Sequence, residues 1–76
     1  MKEMIEEIVK AIVDNPESVK VNEIDGGRST IIELSVAKED VGKVIGRGGK
    51  TISAMRTLLA STGGKQRTRF ILELIE

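Results

Sequence analysis

The chain has no cysteine, histidine, tryptophan or tyrosine, and only one phenylalanine and one proline among 76 residues. The lack of cysteine excludes disulfides, thiolate metal sites and thiol nucleophiles, and it suits a reducing, cytoplasmic compartment. The lack of histidine removes the commonest general base and the usual transition-metal ligand. No apolar run approaches the roughly 20 residues that a membrane helix needs. The opening Met1-Lys2-Glu3-Met4 carries acid where a secretory leader would be basic and then apolar. The expectation is one small non-catalytic domain over residues 1–76, with no cofactor, metal or membrane partner. So short a chain buries little of its surface, so its stability should be modest.

Twelve basic side chains balance twelve acidic ones, so net charge points to no partner. Its distribution is more informative. Residues 1–40 carry five basic and ten acidic side chains, whereas residues 41–76 carry seven basic and two acidic. From Lys43 to Arg69 there are seven basic residues and no acid. This reads either as a solvated dipolar surface or as an anion-binding face in the C-terminal half.

Met4, Ile5, Ile8, Val9 and Ile12 form the stripe of an amphipathic helix over about residues 2–14. Asn15-Pro16 stops it, because a residue before proline is pushed away from helical dihedrals. Ser18 to Ile24 reads as a strand. Asp25-Gly26-Gly27 signals a hairpin, and Ser29–Val36 returns with Ile32, Leu34 and Val36 on one face. A short helix over about residues 39–45 follows, with Glu39 and Asp40 in its first turn, where the helix dipole favours acids. A second begins near Lys50, aligns Ile52, Met55, Leu59 and Thr62, and is expected to end at Gly63-Gly64. The last strand spans about residues 66–75, with Phe70, Leu72 and Leu74 inward and Lys65, Arg67 and Arg69 on a wet face. The order α-β-β-α-α-β predicts an α+β fold: a three-stranded mixed sheet with all helices on one face. The strands flanking the helix pair should run parallel, as a crossover connection requires.

Between the two helical pieces lies Gly46-Arg47-Gly48-Gly49. Glycines let a ligand approach the main chain, and the following helix starts with unpaired N–H groups and a positive dipole end. Arg47, Lys50 and Lys43 add cations around it. A nucleotide P-loop needs glycine at position 44, which is Val44, and a strand before the loop rather than a helix. A dinucleotide fingerprint read from Gly46 needs glycine at Thr51 and fails too. A plain connector remains, as does a Gly-x-x-Gly clamp on a single-stranded nucleic-acid backbone.

The stretch Val44-Ile45-Gly46-Arg47-Gly48-Gly49-Lys50-Thr51-Ile52 is similar to the KH-domain signature. In that signature apolar residues precede a Gly-x-x-Gly loop and an isoleucine follows three residues after it. The element order resembles the type II, mainly bacterial, KH topology. The whole chain resembles the small single-domain bacterial KH proteins of the KhpA (YlqC) family. The resemblance makes Gly46 and Gly49 the fixed glycines and Arg47 and Gly48 the variable pair. It implies binding of single-stranded RNA, a chaperone or post-transcriptional role, and a link to cell elongation and cell-wall homeostasis. It also implies a homodimer and a larger KH-containing partner of the Jag kind.

On this reading Gly46 to Lys50, with Lys43, hold phosphate. Ile45 lies between groove floor and core, Val44 and Ile52 fall to the core, and Arg56 either reaches the ligand or stays solvated. No Tyr or Trp is present to stack on bases, which elsewhere contributes about 1–3 kcal/mol per base, and Phe70 reads as core. Affinity should then be micromolar or weaker, about −8 kcal/mol at best. Three basic contacts predict a salt slope near −2, at about −0.7 per phosphate. Ile31, Ile71 and Ile75 on the outer sheet face, or Leu58 on the last helix, are candidate dimer surfaces. Two alternatives stand beside RNA binding: a protein-interaction subunit for a larger KH partner, and a single-stranded DNA binder.

Overall fold

The computed structural model describes residues 1–66 and 68–75, with the side chains of 64–66 outside the description. Its elements are α1 (Lys2–Ile12), β1 (Lys20–Asp25), β2 (Ser29–Ser35), α2 (Val41–Ile45), α3 (Lys50–Gln66) and β3 (Arg69–Ile75). Single 3-10 turns occupy Pro16–Ser18, Lys38–Asp40 and Arg47–Gly49. The sheet order is β1-β2-β3, with β1 antiparallel and β3 parallel to β2. The expected α+β arrangement and mixed sheet are present, and the architecture is type II KH-like.

One face of every element supplies the core. Ile5 and Val9 come from α1, Val21 from β1, Ile32 and Leu34 from β2, and Leu72 from β3. Val44 from α2 and Ile52, Met55 and Leu59 from α3 complete it. Helix α1 lies over β1 and α3 over β3, while α2 touches both helices. Phe70 and Leu74 pack against this cluster, as the alternation in the last strand predicts. Ile12 is the exception in the α1 stripe, exposed at the helix end.

Several boundaries differ from expectation. Helix α1 stops at Ile12, and the turn at Pro16–Ser18 takes the start of the expected first strand. The hairpin pairs Asp25 with Thr30, which leaves Gly27 and Arg28 as its central residues. Gly27 adopts φ 86°, while the Asp25 carboxylate accepts its N–H at 2.9 Å. The largest correction concerns Gly63-Gly64. Helix α3 continues through them to Gln66, and the Thr68 N–H reaches back to the Gly63 carbonyl at 2.9 Å, a 6→1 bond that closes a helix end. Gly63 instead makes room, because a Cβ there would collide with the Thr68 carbonyl oxygen. Lys65 therefore belongs to the helix and not to a strand face. Arg69 is exposed in β3, and Arg67 lies outside the described residues.

Candidate nucleic-acid interface

Helix α2 ends at Gly46, whose N–H donates to the Gly42 carbonyl at 2.9 Å and whose φ of 78° and ψ of 170° turn the chain away. No side chain fits there: a Cβ would strike the Thr51 hydroxyl and come within 2.8 Å of the Thr51 amide nitrogen. Thr51 thus locks the base of the loop, a contact that sequence pattern gave no reason to expect. The turn Arg47–Gly49 follows, with Gly48 left-handed at φ 65°. Arg47, Gly48 and Lys50 are exposed.

The amides here are fewer than a bare helix start implies. Gly49 donates to the Gly46 carbonyl at 3.0 Å, and Lys50 donates to that of Arg47. The turn leaves the N–H groups of Arg47 and Gly48, its first two residues, for a ligand. Ile45, 38% exposed, stands beside them at the end of α2, while Val44 and Ile52 are buried as expected.

Lys43 points elsewhere. It lies about 200° around α2 from Ile45, and its ammonium bonds to the Asp14 carboxylate and lies 3.9 Å from Asp40. That hydrogen bond to Asp14 raises the pKa of Lys43 above the ordinary lysine value; desolvation opposes it, and the charges of Asp14 and Asp40 reinforce it. Asp40 is not a solvated first-turn acid. It is fully buried, and its carboxylate accepts the backbone N–H groups of Asp14 at 3.1 Å and Asn15 at 3.0 Å. It fixes the end of α1 to the start of α2.

Arg56 is about 9 Å along α3 from Lys50. Its guanidinium donates to the Leu72 carbonyl at 3.2 Å, on the unpaired edge of β3. Of the expected site residues, Ile45, Gly46, Arg47, Gly48, Gly49 and Lys50 thus form one contiguous surface, with Arg56 beyond it and Lys43 turned aside. A separate cavity of about 260 Å³ lies at the hairpin end, lined by Glu23, Asp25 and Phe70 among others. Its carboxylates repel a phosphate. Among the described residues there is no cluster of three or more side chains able to hold a metal, and no helix long and apolar enough to cross a membrane.

The chain matches the family described as "KhpA/KhpB, KH domain" over residues 2–74. It is 52% identical over 75 residues to an RNA-binding protein KhpA of Caldanaerobacter subterraneus subsp. tengcongensis, covering 99% of this chain and 100% of the relative. The RNA-binding protein KhpA of Chlamydia pneumoniae is 49% identical over 76 residues, covering 100% of this chain and 97% of its own. That of Borreliella burgdorferi is 49% identical over 74 residues, covering 97% and 90%. No solved structure matches the chain. The loop geometry, the element order and full-length relatives agree: the chain belongs to the KhpA/KhpB family of KH domains, a non-catalytic kind of module.

Proposed function

We propose that this protein binds single-stranded RNA by clamping its backbone at Gly46-Arg47-Gly48-Gly49. The observation that carries the reading is the turn itself: two free amides and the exposed Arg47 and Lys50 lie in a stretch, Lys43 to Arg69, that carries no acid, and the turn is held open because Gly46 has no side chain. Ile45 and Arg56 extend this surface toward the edge of β3, where bases would lie. Lys43, held by Asp14, acts at most through its long-range field. With two cations in contact instead of three, the expected salt slope falls to about −1.4. A chaperone or post-transcriptional role in the cytoplasm, a link to cell elongation and cell-wall homeostasis, self-association, and a larger KH-containing partner of the Jag kind complete the reading; family membership supports them.

The test is Arg47→Asp with Gly48→Asp, measured by anisotropy of a labelled short RNA. Aspartate tolerates the left-handed conformation at position 48 better than most residues, so far-UV dichroism should barely change. Affinity should fall at least about tenfold, since one charge is reversed and one negative charge is added at the phosphate. Unchanged affinity would reject the clamp in favour of a protein-interaction subunit. Matched DNA binding as tightly as RNA would mean that the 2′-hydroxyl is not read.

A further inference from the structure

The cavity at the hairpin end plays no part in the clamp. It lies on the face of the sheet that the helices cover, because Glu23 pairs with the buried Ile32 and Asp25 with Thr30, and cross-strand partners share a face. Thr30 in turn pairs with Phe70 of β3, so Asp25, Thr30 and Phe70 form one row, with Glu23 two residues along β1. Met1, packed against the core, also lines the cavity. Thr30 is the unusual member. It is only 6% exposed and lines the cavity, yet among the described residues its hydroxyl has no hydrogen-bond partner. No fully enclosed side-chain oxygen lacks a partner among those residues, so this hydroxyl reaches the open volume that it borders. Glu23 and Asp25 are exposed, and among the described residues neither has an ion pair; the Met1 ammonium lies 3.9 Å from Glu3 instead. The Gly27 N–H occupies one Asp25 oxygen and leaves the other free.

Two carboxylates, an unpartnered hydroxyl and an aromatic ring together favour a cation that carries N–H donors. A metal ion fits less well, because two carboxylates supply few of the about 6–8 oxygens that calcium takes, and among the described residues no cluster of three or more groups could hold one. An ammonium can donate to a carboxylate and a hydroxyl together while resting against a ring. Glu23 and Asp25 are two residues apart on a strand, so their Cα atoms lie about 6.6 Å from each other, close to the distance that a four-carbon chain sets between two amines. The volume of about 260 Å³ falls just below the roughly 300–1,000 Å³ of sites for drug-sized ligands, which suits a molecule of that length. We propose that this cavity binds a small aliphatic diamine, with one ammonium between Asp25 and Thr30 against the Phe70 ring and the other at Glu23. Both carboxylates remain in contact with water, so each ion pair contributes little, and the dissociation constant is about 1 mM. The site does not rest on the RNA clamp.

An NMR titration of the isotope-labelled chain with tetramethylenediamine, without RNA and at constant ionic strength, tests this. Amide shifts should gather at Glu23, Asp25, Thr30 and Phe70 and saturate together. Butylamine, with the same chain and one ammonium, should bind about threefold to fivefold more weakly. Thr30→Val keeps the branched shape without the hydroxyl and should weaken diamine binding about tenfold, as a hydrogen bond to a charged group is lost. Asp25→Asn still offers an acceptor to the Gly27 N–H and should weaken both amines. Glu23→Gln should weaken the diamine and leave butylamine unchanged, which a general loss of negative charge would not do. Glu33→Gln, on the opposite face of the sheet, should leave both unchanged. Shifts spread over the acidic residues of α1, butylamine binding as tightly as the diamine, full affinity in Thr30→Val, or the same shifts with magnesium chloride would each overturn the proposal. None of these readouts involves RNA, so failure here leaves the clamp standing.

Discussion

Alanine at Gly46 should damage the protein far more than alanine at Gly48, although both glycines belong to one exposed loop. At Gly46, φ of 78° with ψ of 170° lies in a region that essentially only glycine occupies, a strain of about 1–3 kcal/mol for a residue with a Cβ. The added methyl also meets Thr51 at its hydroxyl, at Cβ (2.7 Å) and at the amide nitrogen (2.8 Å). Rotating the threonine relieves the hydroxyl contact only. Strain and contact together should cost about 3 kcal/mol or more. At Gly48, φ of 65° and ψ of 20° are left-handed, but a Cβ would meet nothing within 4 Å, so the cost is about 1 kcal/mol. A chain of 76 residues is expected to hold about 4–11 kcal/mol in total, so the first change removes a large share and the second a small one. Without tryptophan or tyrosine, far-UV dichroism in urea is the practical assay. Equal midpoints for the two variants, or a Gly46→Ala midpoint matching the parent chain, would refute the packing argument.

Asp40→Ala should leave the amides of Asp14 and Asn15 without an acceptor, at a cost of roughly 2–4 kcal/mol. Asp40→Asn keeps one acceptor oxygen and should fall between alanine and the parent in urea; three equal midpoints would contradict the staple. Arg47→Gln should reduce the RNA salt slope by about 0.7, whereas Lys43→Gln should leave it near the parent value. Equal reductions would mean that Lys43 leaves Asp14 to meet phosphate. Because the folded pKa of Lys43 is raised, its pairing is complete below the ordinary lysine value of about 10.4 and is lost as pH rises through the higher folded one. Stability near neutral pH should not vary on its account, which a urea series across that range checks.

Periodicity located every helix and strand because burial enforces it: Ile5 with Val9, Ile32 with Leu34, and Met55 with Leu59 are core pairs at the spacing of their element. It misjudged element ends, where tertiary contact outweighs local preference. Gly63 reads as a stop, yet its missing side chain serves the close passage of Thr68. Asp40 reads as a dipole acid because its partners are backbone amides 25 and 26 residues away, and such groups leave no mark in composition. The same blindness affects Lys43. Its position beside the loop in sequence suggested phosphate, but the turn of α2 carries it toward Asp14. Around the loop, Gly46 through Lys50 were legible because glycine spacing is itself the geometric requirement. The reduced count of free amides was not, since it arises from the 3-10 turn over Arg47–Gly49.

That reduced count shapes how the protein would have to work. Two amides and two cations hold a strand weakly, and no aromatic ring adds stacking, so useful affinity must come from joining loops. One copy is already 34 Å long, whereas a single clamp grips about four nucleotides. A four-nucleotide RNA therefore occupies one loop and should bind with the weak affinity of one clamp. An RNA long enough to pass from the loop of one copy to that of another meets the second at an effective concentration set by the span, and should bind more tightly. Affinity should therefore step up above a threshold length when loops are joined. An affinity that stays at the four-nucleotide value for every longer RNA would refute the joining of loops.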